Sequence, residues 1–364
     1  MKICMVSCQH LTSGIGNYSI ELAQNIRALN PQIEFYKLYK KGHPDEGIFK
    51  HDWIKPIHYK SFKNLHPYVL PFFIRKAITP PSATLFHAHW FLSGLALTYA
   101  MNRPCVVTMH DVSLLHIREA NKRYEAYYKW AIDRFRLQRI PMIVVSNSAK
   151  DDAIKYAHYP EHLIQVVPNG INDERYFPLY KEKKDRFTII YSGGLGKRKN
   201  VDLLLNAYKV LEEKYDHVEL KLAGAYPERT AYPDIAKSLG LKRVTFTGYV
   251  PDAEMNRFYN SGDLLIYTSL YEGFGFAPLE AMAAGVPVLA TAGGALKEIS
   301  GGGAQLIDYD PNDIVEKASI LIEHEQDRQA LIERGKSWVK QYSWENAAKR
   351  TYEVYEAALK QFSK

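Results

Sequence analysis

The chain has 364 residues, of which 46% are hydrophobic and 24% are charged. This composition excludes an intrinsically disordered or fibrous protein, and the length is sufficient for two domains. The longest apolar run, Tyr68 to Ile74, has seven residues, whereas a membrane-spanning helix needs about 20. We therefore expect no segment that crosses a membrane.

The cysteines and the amino terminus favour a cytoplasmic protein. Cys4, Cys8 and Cys105 are odd in number and form no C-x-x-C pair, so neither a disulfide framework nor a zinc knuckle is indicated. The opening MKICMVSC contains an apolar stretch far shorter than the roughly 7 to 15 residues of a secretory signal. It predicts a first strand instead.

The net charge of +7 is unevenly distributed along the chain. Residues 1–180 carry 22 Lys+Arg against 14 Asp+Glu, and residues 181–364 carry 25 against 26. A basic first half favours an anionic partner, such as a lipid surface or a polyanion, while an ordinary excess of solvated surface charge is the alternative.

Short β-rich apolar runs alternate with longer helical patterns from end to end. The first set predicts strands at Lys2–Val6, Ile33–Leu38, Ala83–His87, Pro104–Thr108, Ile140–Val145 and Ile164–Val167. The second set predicts strands at Phe187–Tyr191, Val218–Ala223, Val244–Thr247, Asp263–Tyr267, Val286–Ala290 and Gly303–Ile307. This repeated alternation indicates two α/β domains, each with a doubly wound parallel sheet covered by helices on both faces.

The domain boundary is expected in the turn-rich segment 168–178, which is followed by the charged run KEKKDR. The predicted domains are residues 1–176 and residues 177–344. Near the end of the chain, Ser343 can cap a helix from about Trp344 to Phe362, and this carboxyl-terminal helix (345–364) is expected to pack back on the first domain.

Residues 267–291, YTSLYEGFGFAPLEAMAAGVPVLAT, indicate a strand, a glycine-containing loop, a short helix and a second strand. Pro278 suits the first turn of the helix, and Gly285 suits its end. Because the loop can direct backbone N–H groups at the helix start towards an anion, this segment predicts a phosphate site.

Two carboxylates border the same segment, Glu272 in the loop and Glu280, which we expect in the first helical turn. Carboxylates accept hydrogen bonds from the vicinal hydroxyls of a ribose or another sugar. The alternatives are a helix-dipole partner for Glu280 and a solvated loop acid for Glu272. A glycosidase pair is also conceivable, but no other feature supports it.

The Ser13–Tyr18 loop follows the first predicted strand and opens a helix, so Gly14 and Gly16 would allow a ligand to approach the backbone closely. As a dinucleotide-binding fingerprint the loop is incomplete. Ser19 stands in place of the third glycine, and Glu34 lies at the start of the second strand rather than at its end.

Three histidines follow or end strands of the first domain. His110 ends the fourth strand candidate, PCVVTMH, at the edge where open α/β sheets place ligands. A structural histidine is the alternative. His87 and His89 are spaced to share one face of a strand. A metal pair is one interpretation, but no third ligand is evident, so packing or lining of a ligand site is favoured.

The Glu272-x7-Glu280 spacing, with GFGFAPL between and EAMAAGVPV following, resembles the donor-binding signature of retaining nucleotide-sugar glycosyltransferases of family 4. The resemblance covers nearly the whole chain, at Ser13–Gly16, His87–Trp90, His110–Asp111, Pro168–Ile171, Leu195–Asp202, 272–280 and Ser343–Glu345. It implies the glycosyltransferase B architecture, in which two Rossmann-like domains face a cleft.

The resemblance also implies roles for individual residues. It assigns Glu280 to the ribose hydroxyls and Glu272 to the hydroxyls of the donor sugar. Backbone groups of Phe274, Gly275 and Phe276 would hold the sugar and the distal phosphate, the nucleobase would lie against the Tyr249–Val250 turn, and the Gly14–Gly16 loop would lie near the diphosphate and the acceptor.

The basic cluster Lys197-Arg198-Lys199 follows a strand and a Gly193-Gly194 turn, and such triplets are ordinarily solvated. The resemblance assigns Lys199 to the diphosphate. Gly194 stands where the family has an arginine, and we expect Arg198 to substitute for it. His110 would contact the donor sugar, and Asp111 would orient His110 or cap the following segment.

The implied reaction is the retaining transfer of a hexosyl group from a UDP- or GDP-sugar to a hydroxyl acceptor, such as a lipid-linked or polysaccharide precursor. The donor is a substrate, and no metal or other cofactor is expected. The alternatives are a sugar-nucleotide epimerase of the same fold, a nicotinamide oxidoreductase and a polyanion-binding module. No nucleic acid partner is expected.

Residues 50–76 interleave basic and aromatic side chains. The basic residues are Lys50, Lys55, Lys60, Lys63, Arg75 and Lys76, against the single acid Asp52, and the aromatic residues are Trp53, Phe62, Tyr68, Phe72 and Phe73. This pattern is typical of a segment that rests on an anionic leaflet, here the inner face of the membrane. Core packing and binding of a soluble anionic acceptor remain alternatives.

Overall fold

The computed structural model describes residues 2–10, 13–40, 53–60, 65–78, 84–115, 117, 122–180, 185–224 and 232–362. The chain divides into two compact units. Unit 1 comprises Met1–Gly170 together with Ser343–Lys364, and unit 2 comprises Ile171–Tyr342. Each unit contains its own parallel sheet.

The strands of unit 1 form a parallel sheet in the order β3-β2-β1-β4-β5-β6-β7. They are β1 (Lys2–Ser7), β2 (Ile33–Lys40), β3 (Ile54–Tyr59), β4 (Thr84–Ala88), β5 (Cys105–Met109), β6 (Met142–Val144) and β7 (Ile164–Val166). The helices of unit 1 are α1 (Gly14–Leu29), α2 (His66–Ala77), α3 (Phe91–Ala100), α4 (Lys122–Leu137), α5 (Asn147–Ala157) and α13 (Trp344–Phe362). Strand order reverses between β1 and β4, so the crevice at the carboxyl ends of these two strands is where a ligand is expected.

The strands of unit 2 form a second parallel sheet in the order β10-β9-β8-β11-β12-β13. They are β8 (Phe187–Ser192), β9 (Val218–Ala223), β10 (Val244–Gly248), β11 (Leu264–Tyr267), β12 (Val288–Thr291) and β13 (Gln305–Ile307). The helices are α6 (Val201–Lys214), α7 (Tyr232–Ser238), α8 (Met255–Asn260), α9 (Phe276–Ala283), α10 (Leu296–Ser300), α11 (Pro311–Glu323) and α12 (Glu325–Val339). Strand order here reverses between β8 and β11.

The fold class and the predicted strands are confirmed, since each predicted strand overlaps an observed one. The central strands are buried on both faces, as Ile3, Val107 and Leu265 illustrate, and their apolar runs are therefore readable in the sequence. Strand β3 was not predicted. It is an edge strand that contains Pro56, and its exposed positions do not alternate regularly.

The boundary between the units lies between Gly170 and Ile171, earlier than the expected position after residue 176. Hydrogen bonds explain the difference. The Ile171 N–H donates to the Tyr342 carbonyl at 2.9 Å, and the Phe177 N–H donates to the Asn256 side chain at 3.1 Å. The segment that follows Gly170 is therefore attached to unit 2.

The carboxyl-terminal helix α13 belongs to unit 1 and begins and ends at the predicted residues. A buried hydrogen-bond chain connects it to the sheet. The Tyr355 hydroxyl lies 2.7 Å from His87 Nδ1, His87 Nε2 lies 2.8 Å from Thr108 Oγ1, and Thr108 Oγ1 lies 2.9 Å from the Tyr18 hydroxyl. In the described part of the chain, no helix is long and apolar enough to span a bilayer.

Candidate functional site

Two loops of unit 2 meet at the point where the strand order reverses. Residues Lys197–Lys199 form one turn of 3-10 helix after β8, and the loop that contains Glu272 follows β11. The Leu270 N–H donates to the Arg198 carbonyl at 2.9 Å, and Thr268 Oγ1 donates to the Lys199 carbonyl at 3.1 Å. These bonds fix the basic turn against the end of β11.

Glu272 joins both cations of the basic turn. Lys199 Nζ lies 2.5 Å from Glu272 Oε1, and Arg198 Nη1 lies 3.1 Å from Glu272 Oε2. The Tyr267 hydroxyl donates to Glu272 Oε1 at 3.0 Å and accepts from Lys199 Nζ at 2.8 Å. The Tyr191 ring stacks on the Tyr267 ring at a centroid distance of 5.7 Å.

The electrostatics of this cluster favour an anionic ligand. Burial alone would raise the pKa of the Glu272 carboxyl, but the neighbouring Lys199 and Arg198 cations outweigh it and lower the pKa to about 2. Glu272 is therefore ionised at neutral pH. Two cations and one carboxylate leave the cluster with a net positive charge.

Helix α9 begins directly after Gly275, which has a φ of 100°. This positive φ favours glycine, and a Cβ atom at Gly275 would also displace the end of the Leu296 side chain, whose Cδ2 would lie 2.7 Å away. Pro278 lies in the first turn, as predicted, and Gly285 follows the helix with a φ of 73°. The backbone of Phe274, Gly275 and Phe276 thus forms the approach to the helix start.

Glu280 lies in the second turn of α9, not in the first, because the helix begins at Phe276. The helix-dipole alternative for Glu280 loses its basis, since that effect is confined to the first turn. The Tyr259 hydroxyl donates to Glu280 Oε2 at 2.7 Å and lies 2.8 Å from Ser192 Oγ. Burial raises the pKa of the Glu280 carboxyl above its usual value.

The remaining predicted contact of unit 2, the Tyr249–Val250 turn, follows β10 at the same edge of the sheet. Tyr249 is 57% exposed. Strand β10 is two strands from β8, a distance of about 10 Å. Lys199 Nζ contacts the Tyr267 hydroxyl at the end of β11, on the other side of β8, so a ligand that reaches both Lys199 and Tyr249 would lie across the carboxyl edge of the sheet.

Two features of this site were missed in the sequence. Gly293 and Gly294 follow β12 and pack on the Glu272 loop, where a Cβ atom at Gly293 would lie 2.4 Å from the Leu270 carbonyl oxygen. The Ala295 N–H donates to the Glu272 carbonyl at 2.8 Å. A glycine pair after a strand was an available signal, whereas Tyr267 gave none, because a tyrosine in a β-rich run is typical of the core.

In unit 1, His110 directly follows β5 and is buried. Its Nε2 donates to the His89 carbonyl at 3.2 Å, and its ring lies edge-on to Tyr18 at a centroid distance of 4.5 Å. Burial lowers the pKa of His110 to about 4. The ring is therefore neutral at pH 7, with Nδ1 as its hydrogen-bond acceptor.

The glycine loop of unit 1 lies at the same edge of the sheet as His110. Helix α1 begins at Gly14, and the Ser13 Oγ caps it by accepting from the Gly16 N–H at 3.0 Å. Tyr18 in α1 provides the contact with His110. Asp111 caps the segment that follows, since its Oδ1 accepts from the Ser113 N–H at 3.0 Å.

The contacts of His87 and His89 favour packing over the metal-pair interpretation. Both ring nitrogens of His87 lie within hydrogen-bonding distance of hydroxyl groups, one of Tyr355 and one of Thr108, so neither nitrogen is open to a metal. His89 is buried beside it, with the two ring centroids 4.6 Å apart. In the ranges that the structure describes, no group of three or more His, Cys, Asp or Glu side chains is arranged to hold a metal ion.

Two family models match the chain, one in each unit. The family model for glycosyl transferases group 1 matches residues 172–338. The model for Glycosyltransferase Family 4 matches residues 12–175. The two matches follow the two units closely.

Relatives and solved structures of glycosyltransferases match over long stretches. The O-antigen chain mannosyltransferase B of Escherichia coli is 26% identical, over 94% of this chain and 96% of the relative. The MMP alpha-(1->4)-mannosyltransferase of Mycolicibacterium hassiacum is 30% identical, over 73% of this chain and 68% of the relative. The structure of HepE of Anabaena, solved in complex with UDP and glucose, covers 98% of this chain and 100% of HepE, with a TM-score of 0.78. At 18% identity this similarity shows the fold. The chain therefore belongs to glycosyltransferase family 4, has the glycosyltransferase B fold and is a glycosyltransferase.

Proposed function

We propose that this enzyme transfers a hexosyl group from a UDP- or GDP-sugar to a hydroxyl acceptor, with retention at the anomeric carbon. The observation that carries the proposal is the meeting of Lys199 and Arg198 at Glu272, next to the glycine loop that begins α9. Two relatives are mannosyltransferases, and HepE binds UDP and glucose, which supports this class of donor.

The donor would lie along the carboxyl edge of the unit 2 sheet. The cations Lys199 and Arg198 would contact the diphosphate, assisted by backbone N–H groups at the start of α9. Glu272 would accept from the hydroxyls of the donor sugar. Glu280 would accept from the ribose hydroxyls, and Tyr249 would lie against the nucleobase.

In the proposed reaction the bond between the anomeric carbon and the diphosphate oxygen breaks, and a bond from the acceptor oxygen to the same carbon forms on the same face. The acceptor proton passes to the departing diphosphate, so no covalent intermediate on the enzyme and no external base are required. Lys199 and Arg198 stabilise the charge that develops on the diphosphate. Because these cations are side chains, we propose that no metal ion takes part.

His110 would contribute from unit 1 by contacting the donor sugar. A neutral ring whose Nε2 is held by the His89 carbonyl presents Nδ1 as an acceptor for a sugar hydroxyl. The Gly14–Gly16 loop, at the same edge of the sheet, would lie near the diphosphate and the acceptor.

We also propose that this enzyme is cytoplasmic and that it associates peripherally with an anionic membrane through unit 1. Helix α2 carries apolar side chains on two faces, since Leu70 and Ile74 are buried, whereas Tyr68 is 61% and Phe72 is 66% exposed. The core-packing alternative thus describes one face of the helix and leaves the other for a lipid surface. Of the basic segment, Lys50, Asp52, Phe62 and Lys63 lie outside the described residues.

Vesicle flotation tests this association. We expect the enzyme to float with anionic vesicles but not with neutral vesicles. Failure to float with either kind of vesicle would contradict the association.

The donor is identified most directly by thermal denaturation with UDP, GDP and ADP and with their sugar conjugates. A ligand at 100 times its dissociation constant stabilises the folded state by about 2.7 kcal/mol. We expect a UDP or GDP compound to give the largest shift. NMR of the product then tests retention, and a product of inverted anomeric configuration would contradict the proposed mechanism.

A further inference from the structure

A groove of about 700 Å³ in unit 1 lies at the amino-terminal edge of the sheet. Its lining includes Cys105, the first residue of β5, and Pro141, which immediately precedes β6. His110 follows the other end of β5. A strand of this length spans about 17 Å, so the groove and His110 lie at opposite edges of the sheet.

Four arginines line this arginine groove: Arg75, Arg103, Arg134 and Arg139. No Asp or Glu occurs among the residues that line it, and the other polar side chains there are neutral, such as Asn102, Gln138 and Gln361. In the part of the chain that the structure describes, no ion pair involves any of the four arginines. The groove thus concentrates four positive charges that acidic side chains do not offset.

Two of the four guanidinium groups are held in place by neutral acceptors. Arg75 donates to the carbonyls of Tyr99 and Ala100 at 2.9 and 3.2 Å. Arg134 donates to the Thr98 carbonyl at 3.2 Å, and its guanidinium carbon lies 4.0 Å from the centroid of the Tyr99 ring. These hydrogen bonds satisfy the last backbone carbonyls of α3 and orient both arginine side chains. Each guanidinium has five N–H donors, and only some of them are used in these bonds.

The other two arginines have no such role at α3. Arg103 lies in the loop that leads into β5 and is half-buried. Arg139 has a φ of 52° and lies 3.1 Å from His162 Nε2 through its Nη2. A non-glycine residue in the left-handed region is uncommon, and here it ends α4, where the Ile140 N–H donates to the Phe135 carbonyl at 3.0 Å.

We propose that the arginine groove is a second anion-binding site, separate from the donor pocket of unit 2, and that it takes the phosphate or diphosphate group of a ligand. Like charges that line one groove repel one another, and a bound phosphate relieves that repulsion. The planar guanidinium fork matches phosphate oxygens in pairs. The volume falls within the range of small-molecule pockets, and Phe362, which is 52% exposed, supplies an apolar wall.

The test uses inorganic pyrophosphate and the full chain carrying Lys199→Ala, which weakens the donor pocket of unit 2. We expect calorimetry to detect pyrophosphate binding in this background. Adding Arg103→Ala and Arg139→Asn, where Asn tolerates the left-handed backbone, should weaken that binding by roughly tenfold or more. Equal affinity with and without these two substitutions, or no binding in the background, would overturn the proposal.

The matched control is Arg136→Ala with Lys155→Ala in the same background, since both residues lie in unit 1 outside the groove lining. This control removes two positive charges, as the groove variant does, and it should leave the affinity for pyrophosphate unchanged. An equal loss in this control would show a general charge effect and would also overturn the proposal.

A chemical measurement on the unsubstituted chain does not depend on how well the variants fold. Phenylglyoxal modification, mapped by mass spectrometry, should be suppressed by pyrophosphate at Arg103 and Arg139 but not at Arg136. Equal modification of all three with and without pyrophosphate would contradict the site.

Two sources can supply the phosphate, a lipid headgroup or a soluble ligand, and vesicles of phosphatidic acid in phosphatidylcholine distinguish them. Loss of flotation in the groove variant but not in the control assigns the groove to a lipid headgroup. Equal flotation of the two, with pyrophosphate binding still lost, assigns it to a soluble phosphate. The binding of nucleoside diphosphates by unit 2 is measured separately, so failure of either proposal leaves the other intact.

Discussion

Lys199 Nζ and Glu272 Oε1 lie 2.5 Å apart, in contact with the hydroxyl of Tyr267. The lysine is the side chain proposed for the diphosphate, and the carboxylate is the one proposed for the donor sugar. Their direct contact couples the two halves of the donor site. A substitution at either residue should therefore disturb the position of the other.

Tyr267→Phe removes the hydroxyl that bridges Lys199 and Glu272 while keeping the ring that stacks on Tyr191. We expect donor binding to weaken by about 1 kcal/mol, the value of one hydrogen bond. Calorimetry with the preferred nucleotide measures this loss. Tyr191→Phe is the matched control, because its hydroxyl donates instead to the Gly194 carbonyl. Equal effects of the two substitutions would remove the positioning role of Tyr267.

The pKa of Glu272 predicts a pH-dependent contribution to stability. Its value falls from 4.5 to about 2 on folding, so ionisation of the carboxylate favours the folded state above pH 4.5. This stabilisation is lost as the pH falls from 4.5 towards 2. Glu272→Gln should therefore be less stable than wild type at pH 7, and urea unfolding should show the difference shrinking below pH 4.5. A difference independent of pH would contradict the ion-pair account.

His110→Ala tests the role proposed for unit 1. If the ring contacts the donor sugar, turnover should fall on the order of 10²-fold, as for one lost transition-state hydrogen bond, with little change in nucleotide affinity. Initial rates and calorimetry on the same preparation separate the two. His87→Ala is the comparison, since His87 bonds only within the core and should mainly lower the melting temperature. The reverse pattern, lost stability and normal specific activity in His110→Ala, would make His110 structural.

Turnover should continue in excess EDTA, because the proposed stabilisation of the leaving diphosphate comes from Lys199 and Arg198. Initial rates before and after dialysis against chelator provide the measurement. Loss of activity that manganese restores would show that a divalent ion supplies the positive charge instead.

The sequence was informative wherever local chemistry decides the structure. The buried strands, the start of α9 after Gly275 and the carboxyl-terminal helix from Trp344 all follow from apolar runs, a glycine that permits positive φ and a capping serine. Edge strand β3 was missed because its packing is one-sided and Pro56 obscures it.

Contacts made across the fold were beyond reach of the sequence. The bridge from Tyr267 to Lys199 joins residues 68 positions apart, and the bonds of His87 to Tyr355 join residues 268 positions apart. Neither spacing carries a periodic signal. The same holds for the arginine groove, because Arg75, Arg103 and Arg139 come from separate segments that only the folded sheet brings together.

Nucleotide binding by variants of Lys199 and Glu280 tests the central claim most directly. Calorimetry with the preferred nucleoside diphosphate should show that Lys199→Ala and Glu280→Ala each weaken nucleotide binding by about 1 to 3 kcal/mol. This is the range for losing a hydrogen bond to a charged group. Lys197→Ala, an exposed lysine of the same turn, should bind as wild type does. Wild-type affinity in either Lys199→Ala or Glu280→Ala, with folding intact, would contradict the placement of the donor in unit 2.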